Sequence, residues 1–229
     1  MSKIDPSGLE HGRRGDKVYV VLNGKQITKD PYRPTNPRSP DQQKHRAKLA
    51  FANRLSAQLA DVVNLGFLRV AEESKKQTPR NAFVKANWDN GALCWNEETT
   101  AWELCPEHLL LSQGPRHIPV DITAELNDTS LCITCPDTGF GNPYAVPDDR
   151  LYVAVFLPDV PDVKLYTGPL RADCARCTFE LPEEFCATHA AMHIYVWFQA
   201  TSFHRASGLR VQVRPDQASP SHYLGTFHC

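Results

Sequence analysis

The sequence has no apolar run of about 18 residues, the length that a membrane-crossing helix needs. Its start, MSKIDPSGLEHGRRGDKVY, also has no apolar h-region and no small-residue cleavage site, the marks of a secretory signal. We therefore expect no membrane span and synthesis in a reducing cytoplasm, with incorporation into a virion or another assembly as a later destination.

Signatures of catalysis are also missing. No nucleophile elbow is present, and the glycine-containing stretch GFGNPYAVPDDR has neither a Walker-type lysine nor a following helix. EF-hand spacing is absent, as are the helix-turn-helix, RNA-recognition and zinc-finger patterns. These absences disfavour an enzyme, and we expect no cofactor.

What the sequence does contain is typical of an ordinary globular protein: 229 residues, 41% apolar and 22% charged, enough for one large domain or two modest ones. The net charge of -1 conceals an uneven distribution. Residues 1–54 carry 12 Lys/Arg against 5 Asp/Glu, a charge of +7, whereas residues 55–229 carry 13 against 21, a charge of -8. Such a split favours docking of the basic residues 1–54 on a polyanion or on another copy of the chain. The alternative is that the basic and acidic parts of one monomer pair with each other.

Eight cysteines in a chain of this length, without an export signal, do not indicate a disulfide scaffold, so free thiols are expected. One zinc set can be read from CARCTFELPEEFCATH: Cys174, Cys177, Cys186 and His189. A strand over TFELP would hold its ends about 17 Å apart at roughly 3.3 Å per residue, which disfavours that site. In CITC, alternation along a strand turns Cys132 and Cys135 to opposite faces.

The pattern along the chain predicts four parts: a basic arm with a proline-rich connector (1–38), a helical region (39–116), a β-sandwich (117–214) and a tail (215–229). In the arm, KVYVVLNGKQITK predicts a tight hairpin around Asn-Gly. An isolated hairpin is only marginally stable, so this one must lie on its own body or on a neighbour's sheet. The residues that define the hairpin are Tyr19, Val21, Asn23, Gly24 and Ile27.

The stretch NPRSPDQQKHRAKLAFANRL predicts the start of a helix. Ser39 is a good N-cap, Pro40 suits the first helical position, and apolar residues then recur at spacings of three and four as far as about residue 64. Gly66 is a plausible stop, and further helical segments are expected in FLRVAEESKK and RNAFVKANW. Residues 89–116 are expected to be irregular, with Trp95 and Trp102 fixing them to the core.

From residue 118 the apolar period changes to two. Seven short β-type runs predict a seven-stranded sandwich of immunoglobulin or fibronectin type III kind, so the fold class is α+β. The runs are VDITAEL, SLCITC, LYVAVFL, VKLYTG, CTFELP, MHIYVWF and GLRVQV. The tail is expected to be a surface strap or partly disordered.

This order of features resembles a Bacteroidota family of small proteins of unknown function. The resemblance rests on the hairpin, the NPRSPDQQKHRAKLAFA stretch, NLGF, RNAFV, LLLSQGP and a sandwich that carries GFGN and AVPDDRLYVAVF. It extends from about Gly12 to Val213 and implies the same two-part architecture. It implies no catalytic or binding residues and no role for the cysteines.

The leading hypothesis is a non-enzymatic structural protein that associates with itself or with a larger assembly, as a virion-like or filament component does. Its basic face would comprise Arg13, Arg14, Lys17, Lys25, Lys44, Arg46, Lys48 and Arg54. Nucleic acid is the alternative partner of that face. A second alternative is a binding module for a glycan or protein that uses a sandwich loop with Asp137, Asn142, Asp148 and Asp149.

Overall fold

The computed structural model describes residues 3–4, 6, 8–22, 24–31, 38–74, 77–136, 142–158, 162–188, 191–202, 204–205 and 212–228. The chain divides into an N-terminal unit, Met1–Gln43, and a body, Lys44–Cys229. The fold is mixed α+β with antiparallel sheets.

Its strands are β1 (Lys3–Ile4), β2 (Glu10–Arg14), β3 (Lys17–Leu22), β4 (Lys25–Lys29), β5 (Leu93–Asn96), β6 (Ala101–Leu104), β7 (Thr123–Asn127), β8 (Ser130–Thr134), β9 (Arg150–Leu157), β10 (Asp162–Leu170), β11 (Arg176–Glu180), β12 (Met192–Gln199), β13 (His204–Arg205), β14 (Gln212–Val213) and β15 (His222–Phe227). Its helices are α1 (Pro40–Gln58), α2 (Ala60–Ser74), α3 (Pro79–Trp88) and α4 (Glu183–Thr188), with 3₁₀ turns at Pro106–His108 and Arg171–Asp173.

The N-terminal unit contains the expected hairpin within a larger sheet. Strands β3 and β4 pair from Val18 with Lys29 to Leu22 with Lys25, which leaves a two-residue turn whose Asn23 lies outside the described residues. Gly24 has a φ of 74°, the left-handed conformation that an Asn-Gly turn requires. Strands β1 and β2, which lie in the predicted basic arm before the hairpin, extend its sheet, since β2 pairs with β3 and β1 with β2.

Three helices follow. The Ser39 hydroxyl lies 3.4 Å from the Gln42 amide that donates to it at the start of α1, and the Thr78 hydroxyl caps α3 in the same way. The prediction that Gly66 ends a helix is wrong, because α2 continues to Ser74. The structural reason is close packing: a Cβ on Gly66 would lie 2.2 Å from the Leu111 carbonyl oxygen.

Residues 89–116, expected to be irregular, contain a hairpin of β5 and β6 and a 3₁₀ turn. A disulfide joins Cys94 to Cys105, with Cα atoms 6.3 Å apart, and Cys186 is disulfide-bonded as well. The expectation of free thiols is therefore wrong at these three positions. The Cys105 amide donates to Ala92 beside this hairpin, so the local strand pairing brings the first two cysteines together.

Two sheets of the body face each other across an apolar layer. One has the order β10-β9-β12-β15, and the other has the order β11-β8-β7. Their shared core includes Ile133, Val153 and Ile194. The opposite face of the four-stranded sheet packs on the helices through Phe156 and Trp197. Every residue of β12 is consequently buried, which explains why its sequence is mostly apolar instead of alternating; its polar residues are His193 and Gln199.

The immunoglobulin or fibronectin type III topology is not confirmed. Of the seventh predicted run, 208–213, only β14 is described, and it pairs with β13. The tail contributes β15 instead, which pairs with β12 from Met192 with Phe227 to Val196 with His222. The expectation that the tail is a loose strap is wrong for these residues. Among the described helices, none is long and apolar enough to cross a membrane.

Candidate functional site

Lys48, one of the basic residues of α1, lies over two tryptophan rings. Its Nζ is 4.6 Å from the ring centre of Trp88 and 5.0 Å from that of Trp102. The ammonium group also donates to the Trp88 carbonyl, and Asp89 lies 3.9 Å away. The side chain is only 14% exposed. Lys48 therefore binds its own body through cation–π contacts and is not part of an open basic surface.

Lys44 makes a similar set of contacts one turn earlier. Its Nζ lies 4.4 Å from the ring centre of Trp95 and 3.6 Å from the Glu97 carboxylate. The Trp102 indole donates to the Lys44 carbonyl over 2.9 Å. Arg46 and Arg54 are exposed, and the Arg54 guanidinium lies 5.7 Å from the ring centre of Phe51. The predicted basic face of α1 thus divides into two lysines in cation–π contacts and two exposed arginines.

The N-terminal sheet carries the remaining predicted basic residues, all of them exposed: Arg13, Arg14, Lys17 and Lys25. Lys17 pairs with Asp30 at 2.6 Å, and this contact raises the pKa of the lysine. Tyr19 and Val21 share one face of β3, while Val20 pairs with Ile27 on the other face.

The face of the β3–β4 pair that carries Val20 and Ile27 combines apolar and cationic side chains. By strand alternation its apolar residues are Val18, Val20, Leu22 and Ile27. Arg13 lies opposite Val18, and Lys29 and Lys25 lie at the two ends of the pair. Leu22 is 56% exposed and Val20 is 38% exposed. None of the residues described in the N-terminal unit is buried.

The predicted binding loop contains a structural carboxylate. Asp137 lies outside the described residues, and Asn142 stabilises its own turn by accepting from the Tyr144 amide at 2.9 Å. Asp148 accepts from the Ser202 hydroxyl. Asp149 is completely buried, so it cannot present its carboxylate to a ligand at the surface.

Two buried guanidinium groups hold Asp149. Arg116 Nη2 donates to both of its carboxylate oxygens, at 2.7 and 2.6 Å, and Arg171 Nε donates to one at 3.2 Å. Arg171 also donates to the His117 carbonyl and stacks on Phe198 at 3.7 Å. Burial lowers the pKa of Arg171, and the neighbouring carboxylate opposes that shift. These contacts join the 3₁₀ turn Arg171–Asp173 to the loop before β9 and to the core. The role of the Asp149 carboxylate is therefore structural.

The zinc set read from the sequence does not assemble among the described residues. Cys186 is in a disulfide and has no thiolate to offer, while His189 lies outside the described residues. Cys174 is buried, and its pKa is lowered first by a hydrogen bond with the Cys135 thiol. Cys177 is half-buried, and burial raises its pKa to about 12. A thiol with so high a pKa stays neutral at pH 7.

A cleft in the body was not anticipated from the sequence. It has a volume of about 510 Å³ and lies where α1 meets the 3₁₀ turn Pro106–His108 and the ends of β6, β9 and β12. Its walls are mostly apolar, from Phe51, Leu55, Leu104, Pro106, Phe156 and Pro158, with three polar lining residues, Arg54, Gln58 and His193. Both the volume and this composition are typical of small-molecule sites.

His193 is held firmly at the wall of the cleft. Its Nδ1 lies 3.1 Å from the Tyr223 hydroxyl and 3.1 Å from the Thr226 hydroxyl, and these two oxygens are 2.8 Å apart. Its ring stacks on Phe156 with centres 6.1 Å apart. Burial, followed by the nearby His228, lowers the pKa of His193, so the imidazole is neutral at pH 7.

Comparison with known proteins adds no assignment. No known protein family, curated protein or solved structure matches the chain. Function must therefore be inferred from this fold and its contacts.

One sequence signal could have indicated His193, a residue of the cleft. It is a polar residue inside the apolar run MHIYVWF, and a buried histidine requires hydrogen-bond partners.

Proposed function

We propose that the chain is a non-enzymatic structural protein that self-associates, with the N-terminal sheet of one copy docked on the acidic body of a second. Such an arrangement suits a virion-like or filament component. The observation that carries the proposal is the apolar and cationic face of β3 and β4, defined by Val18, Val20, Leu22 and Ile27.

A sheet gains stability when one apolar face is removed from water. In the N-terminal unit the described residues leave this face at least partly exposed, including Val20 within the inner strand β3 and Leu22 beside the turn. Edge strands with unpaired backbone groups and an exposed apolar face are features that natural proteins cover with a partner. A partner that covers the face supplies the burial that the four short strands lack.

Charge complementarity supports a second copy as that partner. Arg13, Lys25 and Lys29 surround the apolar residues, whereas residues 55–229 have a net charge of -8. On the body, the outward face of β7, β8 and β11 carries Glu125 and Glu180, both exposed. Complementary charge speeds encounter and sets orientation, and the apolar contacts then determine how long the complex lasts.

The test is the molar mass in solution, measured by light scattering coupled to size-exclusion chromatography. The unmodified chain should exceed 25.7 kDa at low salt and approach that mass as salt screens the charges. Leu22→Asp should return it to the monomer at all salt concentrations, because a carboxylate would be buried against an acidic surface. Deleting residues 1–38 should have the same effect.

The matched control is Val120→Asp. Val120 is a 79% exposed apolar residue of the body, so the same change there should leave the mass unaltered. A wild-type chain that is monomeric at every protein and salt concentration would refute the proposal. So would an assembly that survives Leu22→Asp, or one that forms only when nucleic acid is added.

A further inference from the structure

We propose that the cleft beside α1 binds a small apolar molecule that carries one carboxylate, with Arg54 pairing with the carboxylate and the apolar walls enclosing the rest. This inference does not depend on self-association, because every residue that lines the cleft belongs to the body.

Arg54 supplies the charge. Among the described residues that line the cleft it is the only one with a formal charge at pH 7, given the neutral imidazole. Within the described part of the chain its guanidinium has no salt bridge or hydrogen bond, and its one recorded contact is with the Phe51 ring. A planar guanidinium binds a carboxylate through two parallel hydrogen bonds, which explains the choice of anion.

His193 supplies a second polar group that can contact the ligand. The residue is 9% exposed, and its Nδ1 is used by the hydroxyls of Tyr223 and Thr226. Across the described residues, Nε2 has no hydrogen-bond partner although the side chain lines the cleft. Donation by either hydroxyl to Nδ1 places the ring proton on Nε2, and Nε2 can then donate to a ligand oxygen. A ligand carboxylate supplies an oxygen that accepts this hydrogen bond.

The apolar lining limits the rest of the ligand. The described lining is mostly apolar, with Phe51, Leu55 and Phe156 among its residues. Besides Arg54 and His193, it offers Gln58 for further hydrogen bonds. A sugar, a nucleotide or a dicarboxylate would place several polar groups against these walls without partners, at a cost in binding free energy. A hydrocarbon chain or a single ring ending in one carboxylate avoids that cost.

The experiment measures the binding of octanoate and of 1-octanol to the full chain by isothermal titration calorimetry. Octanoate should bind at one site, and Arg54→Gln should weaken it about tenfold or more, since a charge-assisted pair is lost. The same substitution should leave 1-octanol unchanged. Gln58→Glu should also abolish octanoate binding by like-charge repulsion while 1-octanol still binds.

The matched control is Arg46→Gln, which removes an exposed arginine of the same helix that does not line the cleft. Arg54 and Gln58 are exposed as well, so these variants should keep the thermal midpoint of the unmodified chain. The proposal is overturned if octanoate shows no saturable binding. It is equally overturned if Arg46→Gln weakens octanoate as much as Arg54→Gln does, or if 1-octanol and octanoate respond alike to Arg54→Gln.

Discussion

Replacing Gly66 with alanine tests how closely α2 packs on the chain that crosses it. Helix propensity alone predicts that Gly66→Ala stabilises the protein by about 1 kcal/mol, because glycine is the least favourable ordinary residue inside a helix. The structure predicts the opposite sign. A Cβ at this position would lie 2.2 Å from the Leu111 carbonyl oxygen and 2.8 Å from both the Cα and the Cβ of Ser112.

Real Cβ atoms essentially never come closer than 3.0 Å, so the helix and the crossing segment must separate by at least 0.8 Å. Two of the three contacted atoms belong to the backbone and cannot rotate away. Overpacking of this kind costs about 1–3 kcal/mol. The separation also weakens the hydrogen bond from the Gln113 amide to the Gly66 carbonyl, now 3.2 Å, which contributes about 1 kcal/mol.

After subtraction of the propensity gain, we expect Gly66→Ala to lower the free energy of unfolding by about 1–3 kcal/mol. Urea denaturation followed by far-ultraviolet circular dichroism measures this loss as a lower midpoint. The matched control is Asn64→Ala, an exposed position of the same helix, which should gain about 0.5 kcal/mol from propensity alone. If Gly66→Ala is as stable as the unmodified chain, residues 111–112 do not lie against α2 as described.

Two further predictions concern the buried polar groups. Asp149→Asn leaves two buried guanidinium groups without their counterion and should destabilise the protein by about 3–5 kcal/mol in urea denaturation. Asp30→Asn breaks an exposed pair and should change stability far less. Similar losses for the two variants would contradict the buried network. Burial raises the pKa of the Tyr195 phenol far above its unfolded value of about 10, so its contribution to stability is complete below pH 10 and is lost above it. Absorbance at alkaline pH should therefore show one part of the tyrosinate signal appearing together with cooperative unfolding, and ionisation of every tyrosine near pH 10 in a still-folded chain would refute this.

Local signals in the sequence predicted much of the secondary structure. The Asn-Gly turn, the Ser39 cap and six of the apolar runs that predicted strands correspond to elements of the fold. These features depend on short-range geometry, and a turn or a cap acts in the same way in any protein.

The long-range features could not be predicted from the same patterns. Gly66 reads as a helix stop unless the segment that crosses it is known. A continuous apolar run such as β12 is compatible with a strand buried on one face or on two, and only the packed helices decide between them. The Cys94–Cys105 disulfide follows from the pairing of β5 with β6, which the sequence reasoning treated as irregular chain.

The candidate sites divide in the same way. The exposed cations of the N-terminal sheet were predicted from charge and turn signals alone. The cation–π contacts of Lys44 and Lys48 were not predicted, because a basic helix face is expected to be solvated unless the positions of its tryptophan partners are known. The cleft required knowledge of which elements meet, since its lining comes from α1, β6, β9, β12 and the chain beside them.

The placement of the tryptophans decides what the protein's intrinsic fluorescence reports. Of the four tryptophans in the chain, Trp88, Trp95 and Trp102 lie beside the lysines of α1, and only Trp197 lies in the central sheet. Tryptophan emission is therefore weighted towards the contact between α1 and the three tryptophans beside it. If α1 melts away from the β5–β6 hairpin before the sheets unfold, fluorescence will change ahead of circular dichroism, and the gap between the two curves will measure the free energy of that local opening.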